Sequence, residues 1–257
     1  MSGTGAQVLL RLAGESRAAP HHVRNEDAWS TYALPAGRSA LLVLCDGVST
    51  AGGGAPAAQL ACRRVGQFFD QGTRRHPDTL AQLVSEIDWE LRGAGQSARC
   101  TLAMAWVDGS PGAAEAWVFT VGDSPVYRLR AGRLRQAGVE GTGTFRRLQA
   151  YLGMGPAVSE VLKRERWDLR AGDVLLLMSD GVLAALEEED LAALWARHRE
   201  PQRFVRAVIQ EVARHGVDDD ATIVAVELVE TQDGAAPHPH LDAPDPPQRV
   251  LLGDDED

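Results

Sequence analysis

Short apolar runs recur along this chain and predict β-strands, because each is too short for a buried helix and several alternate between apolar and polar residues. The runs cover residues 7–12, 40–45, 101–107, 116–121, 126–130, 174–178 and 223–229. Residues 126–130 and 133–136 flank Ala131-Gly132, which predicts a tight hairpin. None of the runs approaches the roughly 18 residues that cross a bilayer, so no membrane partner is expected.

Four other segments have helical spacing of apolar residues. Pro56 opens one that runs through Phe69 toward Gly72, and Asp78 caps another that continues to Leu91. A third begins at Pro201 and ends before Gly216, and a shorter helix is predicted over 187–198. Strands grouped with strands and helices with helices predict an α+β fold with antiparallel sheets. The six tryptophans are expected in the core; they are Trp29, Trp89, Trp106, Trp117, Trp167 and Trp195.

Charge and cysteine content exclude several classes of function. The 257 residues carry a formal net charge of −10, which argues against binding nucleic acid, since that requires clustered basic residues. The three cysteines, Cys45, Cys62 and Cys100, form neither a close pair nor an even set, so a cytoplasmic protein with reduced thiols is expected.

The C-terminal residues differ in composition from the rest of the chain. Residues 231–257 hold seven acidic residues, one arginine and five prolines, a composition that favours disorder. We therefore predict a folded domain over residues 1–230 and a disordered acidic tail over 231–257. The apolar triplet at 250–252 is either a short docking segment or a chance result of the composition, without a function.

Acidic residues stand where the predicted strands begin or end. Any one of them could merely form a turn, since Asp-Gly is a common turn dipeptide. As a set without neighbouring bases they favour a divalent cation, and all-oxygen ligands suit Mg²⁺ or Mn²⁺ better than Zn²⁺. The residues are Glu26 and Asp27 before a strand-like run, Asp46, Asp123 and Asp180 after apolar runs, and Asp219 before the last run.

Five short motifs in this order resemble those of the bacterial-like, metal-dependent PP2C-type serine/threonine protein phosphatases. They are Asn25-Glu26-Asp27, Cys45-Asp46-Gly47-Val48, Gly122-Asp123-Ser124, Ser179-Asp180-Gly181-Val182 and Asp219-Asp220-Ala221-Thr222. The resemblance covers residues 7–230. It implies a four-layer α-β-β-α sandwich with two antiparallel sheets, in agreement with the order of elements.

The resemblance also implies a binuclear Mn²⁺ or Mg²⁺ centre and a role for each motif. Asp27, Asp46, Asp180 and Asp219, with the Gly47 carbonyl, are expected to hold two ions, and Glu26 to act through a bound water. Asp123 matches the position that helps bind a third metal in bacterial relatives. Thr222 and Ser124 are expected to support the neighbouring carboxylates. Two ions could activate a water for attack on a phosphate monoester, so no cysteine nucleophile is needed.

Two positions depart from the family pattern. Many members have an arginine that grips the substrate phosphate five residues before Asp27, where this chain has His22, and the nearest arginine is Arg24. Either could bind phosphate, and arginine is favoured for two-point contact. The histidine that some relatives carry directly after the second Asp-Gly is absent, because Val48 stands there. The glycine-rich stretch 138–159 falls where the family has a mobile flap, although it could be an ordinary connection.

The sequence therefore supports two functions of different kinds. One is a phosphatase that acts on phosphoserine or phosphothreonine in proteins, with a kinase or its target as partner. The other is a non-catalytic module that binds a phosphorylated or regulatory partner through the same cleft, an alternative motivated by His22 and by the acidic tail. Hydrolysis of a small phosphorylated metabolite remains a third possibility.

Overall fold

The computed structural model describes residues 7–34, 37–48, 52–72, 76–95, 98–110, 114–138, 150–155 and 157–231. The described strands are β1 Gln7–Arg17, β2 Ala28–Ala33, β3 Ser39–Cys45, β4 Leu102–Asp108, β5 Glu115–Val121, β6 Val126–Arg130, β7 Arg133–Gln136, β8 Lys163–Asp168, β9 Val174–Met178 and β10 Ala221–Thr231. The helices are α1 Gly54–Asp70, α2 Pro77–Ala94, α3 Val158–Val161, α4 Asp180–Leu183, α5 Glu188–His198 and α6 Pro201–His215.

The strands form two antiparallel five-stranded sheets. One sheet has the order β1-β10-β9-β6-β7, and the other has the order β2-β3-β4-β5-β8. Buried side chains of β3 and β4 from one sheet and of β9 and β10 from the other pack together between the sheets. The strands that were predicted from apolar runs therefore form the two middle layers of the molecule.

Helices cover the outer face of each sheet. The apolar stripes of α1 and α2 pack on the β2–β8 sheet, and those of α5 and α6 pack on the β1–β7 sheet. Local signals set the helix ends: Pro201 opens α6 after Glu200, whose carboxylate accepts hydrogen bonds from two backbone N–H groups, and Gly216 closes it with a φ of 65°. The α+β fold predicted from the sequence, a four-layer α-β-β-α sandwich, is confirmed.

Several details differ from the sequence prediction. Residues 163–168 were expected in a loop-rich stretch but form β8, an edge strand whose alternate side chains are exposed and charged, so that no apolar pattern marks it. Trp89 was expected in the core, yet its side chain is 70% exposed on α2. The short helices α3 and α4 were not predicted.

Two predicted segments lie wholly or mostly outside the described residues. These are the acidic tail from residue 232 onward and the central part of the glycine-rich stretch, residues 139–149. None of the described helices is both long and apolar enough to cross a bilayer.

Candidate active site

The predicted acidic residues meet at one end of the sandwich because the ends of several strands are level there. Ala28 pairs with Cys45, which places Asp27 beside Asp46, and Ile223 pairs with Met178, which places the start of β10 beside Asp180. A hydrogen bond from Ser179 Oγ to Asp27 Oδ2, at 2.8 Å, joins the two sheets at this end. The carboxylates thus come from both sheets and from distant parts of the chain.

Asp46 lies at the centre of the group. Burial, together with the charges of Asp27, Asp180 and Asp219, raises the pKa of Asp46 to about 10, and its carboxyl hydrogen-bonds to that of Asp180. The backbone fixes this residue from behind, because its N–H donates to Thr101 Oγ1 at 3.0 Å and its carbonyl accepts from Thr101 N at 2.8 Å. The side chain is therefore held among like charges.

Asp27 is the most deeply buried member, with 8% of the residue exposed. Burial raises its pKa to about 7, and hydrogen bonds from Thr222 and Ser179 oppose that rise. Oδ2 accepts from Ser179, whereas Oδ1 is buried and has no hydrogen-bond partner among the described residues. An unsatisfied buried carboxylate oxygen is costly, so this atom marks a place where a further ligand belongs.

Asp180, Asp219 and Asp123 complete the acidic group on the other side. Burial and then the charges of Asp219 and Asp123 raise the pKa of Asp180. Burial, and to a smaller extent the charge of Asp219, also raises the pKa of Asp123. Asp123 therefore lies close enough to interact electrostatically with the acidic group. Asp180 begins α4, where the free N–H groups of a helix start favour negative charge.

Gly47, directly after Asp46, packs closely against the backbone of neighbouring segments. A Cβ atom at Gly47 would lie 2.4 Å from the backbone carbon of Gly54 and 2.7 Å from the carbonyl oxygen of Glu26. Its N–H donates to that same Glu26 carbonyl at 3.1 Å. The close approach of α1 to the strand end thus requires glycine at both positions.

Glu26 and His22 stand at the rim. Burial raises the pKa of Glu26, against the opposing charge of His22. His22 Nδ1 lies 3.1 Å from Asp220 Oδ1, and this contact raises the pKa of the imidazole. Arg24 is exposed, and no hydrogen bond or ion pair links it to the acidic group within the described part of the chain.

Asp220 organises the loop that leads into Asp27. Its side chain is buried, and its carboxylate accepts hydrogen bonds from Ala19 N at 2.7 Å and from Glu26 N at 2.6 Å, in addition to its contact with His22. Sequence reasoning did not assign this role, although the acidic triplet before β10 contained the residue. Its position next to Asp219 was the available signal.

Hydroxyl groups next to the acidic residues hold them in place through hydrogen bonds. Thr222 Oγ1 pairs with Ser16 Oγ at 2.6 Å and lies close enough to Asp27 to lower its pKa. Ser124 pairs with Thr101 Oγ1 at 2.6 Å and so reaches Asp46 only through the Asp46 backbone. Ser179, which was not given a role from the sequence, contacts Asp27 directly and also accepts from Thr222 N at 2.9 Å.

Two observations fit a hard divalent cation at this group. The donors are carboxylates, and Asp27 Oδ1 is buried without a hydrogen-bond partner in the described part of the chain. No three His, Cys, Asp or Glu side chains among the described residues are, however, already placed around one point as ligands. The carboxyl groups of Asp46 and Asp180 lie within hydrogen-bonding distance of each other.

The sequence profile of protein phosphatase 2C matches residues 14–219, which include every acidic residue of the group. The chain belongs to the protein phosphatase 2C family. No curated protein matches the chain in sequence.

Solved structures of protein phosphatase 2C proteins share the fold. PppA, described as a key regulatory component of T6SS in Pseudomonas aeruginosa, is 22% identical, with a TM-score of 0.68 over 87% of this chain and 99% of that one. A serine/threonine phosphatase of S. agalactiae is 16% identical, with a TM-score of 0.72 and coverage of 85% and 99%. The catalytic domain of PstP, in complex with two manganese ions, is 22% identical, with a TM-score of 0.66 and coverage of 86% and 99%.

Proposed function

We propose that this chain is a Mn²⁺- or Mg²⁺-dependent phosphatase that hydrolyses phosphoserine and phosphothreonine in proteins. One observation carries the proposal: the acidic residues of four separate motifs come together at one end of the sandwich, around a buried Asp27 oxygen that lacks a hydrogen-bond partner among the described residues. Grouping like charges costs stability, and a bound cation offsets that cost.

Each residue of the group has a proposed role. Asp27, Asp46, Asp180 and Asp219, with the Gly47 carbonyl, would hold two ions, and Asp123 would contribute to a third. Such ions supply Lewis-acid activation of water and neutralise the charge of a phosphate monoester. Ser179 would keep Asp27 oriented toward the group through its hydrogen bond to Oδ2, and Glu26 at the rim would act through a bound water.

The substrate phosphate would meet a weaker clamp than in relatives with an arginine. His22 has one ring nitrogen committed to Asp220, so it offers a single N–H to phosphate, whereas a guanidinium offers two. Arg24 lies on the same loop and is exposed, which leaves it free to supply a second contact.

Manganese-dependent hydrolysis of p-nitrophenyl phosphate tests the proposal. Asp46→Asn and Asp180→Asn should each lower kcat at least about 100-fold, the equivalent of about 3 kcal/mol of lost charge stabilisation. Asp168→Asn is the matched control, since this aspartate is exposed on β8, and it should keep wild-type activity. Activity retained in both site variants would contradict a catalytic metal centre.

The second candidate is a non-catalytic module that binds a phosphorylated or regulatory partner. His22 in place of the arginine and the acidic tail motivate it. Calorimetry with Mn²⁺ separates the two: the enzyme should give a binding heat that disappears in Asp46→Asn, and a module without metals should give none.

The cellular setting is also part of the proposal. Cys45, Cys62 and Cys100 are buried free thiols, consistent with the reducing cytoplasm.

We place the phosphatase domain at residues 1–230, followed by the acidic tail, and expect a protein kinase or its target as substrate. A panel of phosphopeptides against small phosphorylated metabolites would separate a protein substrate from a metabolite.

A further inference from the structure

Five arginines gather at one open side of the sandwich, far from the acidic group. Arg128 and Arg130 on β6 pair across the hairpin with Arg135 and Arg133 on β7, and Arg170 follows β8. The guanidinium groups of Arg128 and Arg135 lie over the Trp167 ring, at 5.6 and 5.8 Å from its centroid. Both distances are within the limit of about 6 Å for a cation–π contact. We call these five residues the arginine patch.

The arginine patch carries more positive charge than its neighbours neutralise. Arg130 pairs with the buried Asp173, and Arg135 pairs with Glu165. Within the described residues, Arg128, Arg133 and Arg170 have no carboxylate partner.

Arg128 lies among the other positive charges of the arginine patch. Its Nε is buried without a hydrogen-bond partner among the described residues. Burial and then the charges of Arg130, Arg135 and Arg170 lower its pKa. An anion placed here would relieve repulsion as well as form ion pairs.

The chain itself contains a matching anion. Residues 232–257 include seven acidic residues and a single arginine, and the last four residues are all acidic. The rest of the protein also has an excess of acidic residues, so the arginine patch is an exception on its surface. Charge complementarity therefore selects this segment as the occupant.

Topology brings this segment out beside the arginine patch. Glu227 on β10 pairs with Val174 on β9, which pairs with Leu129 on β6, so β10 and β6 run in the same direction and end at the same side. Arg130 therefore lies about 10 Å across the sheet from Leu228, two strand spacings away, and β10 ends three residues later at Thr231. A chain of the length of residues 232–257 spans roughly 28 Å on average, enough to reach the whole patch.

We propose that the arginine patch is the docking surface of the chain's own acidic C-terminal segment, residues 232–257. Because β7 and β8 are the edge strands of the two sheets on this side, the docked segment would also cover both edges. The tether gives the segment an effective concentration in the millimolar range, so weak ion pairs suffice. This inference does not depend on catalytic activity.

Paramagnetic NMR on the 257-residue protein tests the docking. A nitroxide attached to Gly253→Cys labels the segment alone, because the native cysteines are at most 5% exposed. At about 20 mM salt, amide signals of residues 128–135 and 163–170 should lose more than about half of their intensity, and they should recover at about 0.5 M salt, where the charges are screened.

Charge reversal provides the decisive comparison. Arg133 and Arg170 are exposed, so Arg133→Glu with Arg170→Glu should abolish the broadening without loss of the fold, as judged by circular dichroism. Arg63→Glu with Arg203→Glu, an equal charge change on exposed helical positions, should leave it intact. Broadening at another surface, no broadening at low salt, or broadening that survives the patch reversal would overturn the proposal. A mixing experiment provides one more test, in which spin-labelled protein at natural isotope abundance is added to ¹⁵N-labelled protein that carries no spin label. Broadening in that mixture would also overturn the proposal, because it would show that the segment docks on a second copy.

Discussion

Replacing Asp88 by alanine should destabilise the protein strongly, although Asp88 lies on α2 outside the acidic group. Its side chain is buried, with 2% of the residue exposed. Oδ1 accepts a hydrogen bond from Gly153 N at 2.7 Å, and Oδ2 accepts one from Gly155 N at 3.0 Å. The carboxylate thus fastens residues 150–155 to the helix.

The magnitude follows from the two hydrogen bonds. A hydrogen bond to a charged acceptor contributes about 1.5–3 kcal/mol, and its loss leaves a backbone N–H without a partner. Allowing for relaxation of the segment, we expect Asp88→Ala to lower the free energy of unfolding by about 3–4 kcal/mol, out of the 5–15 kcal/mol typical of a folded domain. Asp88→Asn retains one acceptor oxygen and should lose about half as much.

Urea unfolding followed by circular dichroism measures this difference. Glu86→Ala is the matched control, because Glu86 lies on the same helix but is exposed, and its ion pair with Arg64 is long at 3.7 Å. The control should lose less than about 1 kcal/mol. If Asp88→Ala lost no more than Glu86→Ala, the idea that this carboxylate holds residues 150–155 would be wrong.

The same variant should also affect the candidate active site. Leu152 and Cys100 exchange backbone hydrogen bonds, and Cys100 forms a β-bridge with Gly47, directly after Asp46. A loosened segment removes support from the backbone behind Asp46. We therefore expect Asp88→Ala to weaken Mn²⁺ binding in calorimetry at a temperature where the variant is still folded.

Three further predictions concern stability and the close packing of the site. Arg130→Met should cost about 2–3 kcal/mol in urea unfolding, because it removes the charged partner of the buried Asp173 carboxylate, which then keeps only the Arg170 N–H. Arg135→Met, at a more exposed ion pair, should cost less than about 1 kcal/mol, and equal losses would contradict this reasoning. Gly181→Ala should lower stability by about 1–3 kcal/mol and should also reduce phosphatase activity. The new Cβ would lie 2.1 Å from the backbone carbonyl oxygen of Asp220, just before β10. An unchanged melting temperature would refute the clash. Glu227→Gln should raise stability at pH 7, because burial raises the pKa of Glu227 and the stability that its neutral form provides is lost as pH rises through that shifted pKa. The gain should vanish near about pH 4, and a gain that persisted there would disprove the electrostatic cause.

The fold was largely predictable from the sequence because its central strands are apolar on both faces. Helices cover one face of each sheet and the other sheet covers the second face, so strands such as β3 and β9 are continuous runs of buried residues. β8 failed this criterion because it lies at an edge and presents charged residues such as Arg164 and Arg166 to solvent. Its only fully buried side chain, Trp167, does not make a pattern.

The candidate site was predictable to a different extent for different residues. The aspartates at strand ends could be named because an apolar run that stops at an acid marks a buried boundary where a carboxylate needs a partner. Asp88 and Asp220 could not, since their roles depend on which backbone N–H groups the tertiary fold brings to them, Gly153 and Gly155 for one and Ala19 and Glu26 for the other. No local pattern encodes those distant partners.

Asp220 also bears on the proposed role of His22 in binding the substrate phosphate. An arginine five residues before Asp27 needs only its own charge to hold a phosphate, because a guanidinium is always protonated. An imidazole is charged only when it is protonated. Asp220 lies 3.1 Å from His22 and raises its pKa, while the other hydrogen bonds of Asp220 fix the loop that carries His22. We therefore expect the replacement of either Asp220 or His22 alone to leave the other residue without its partner.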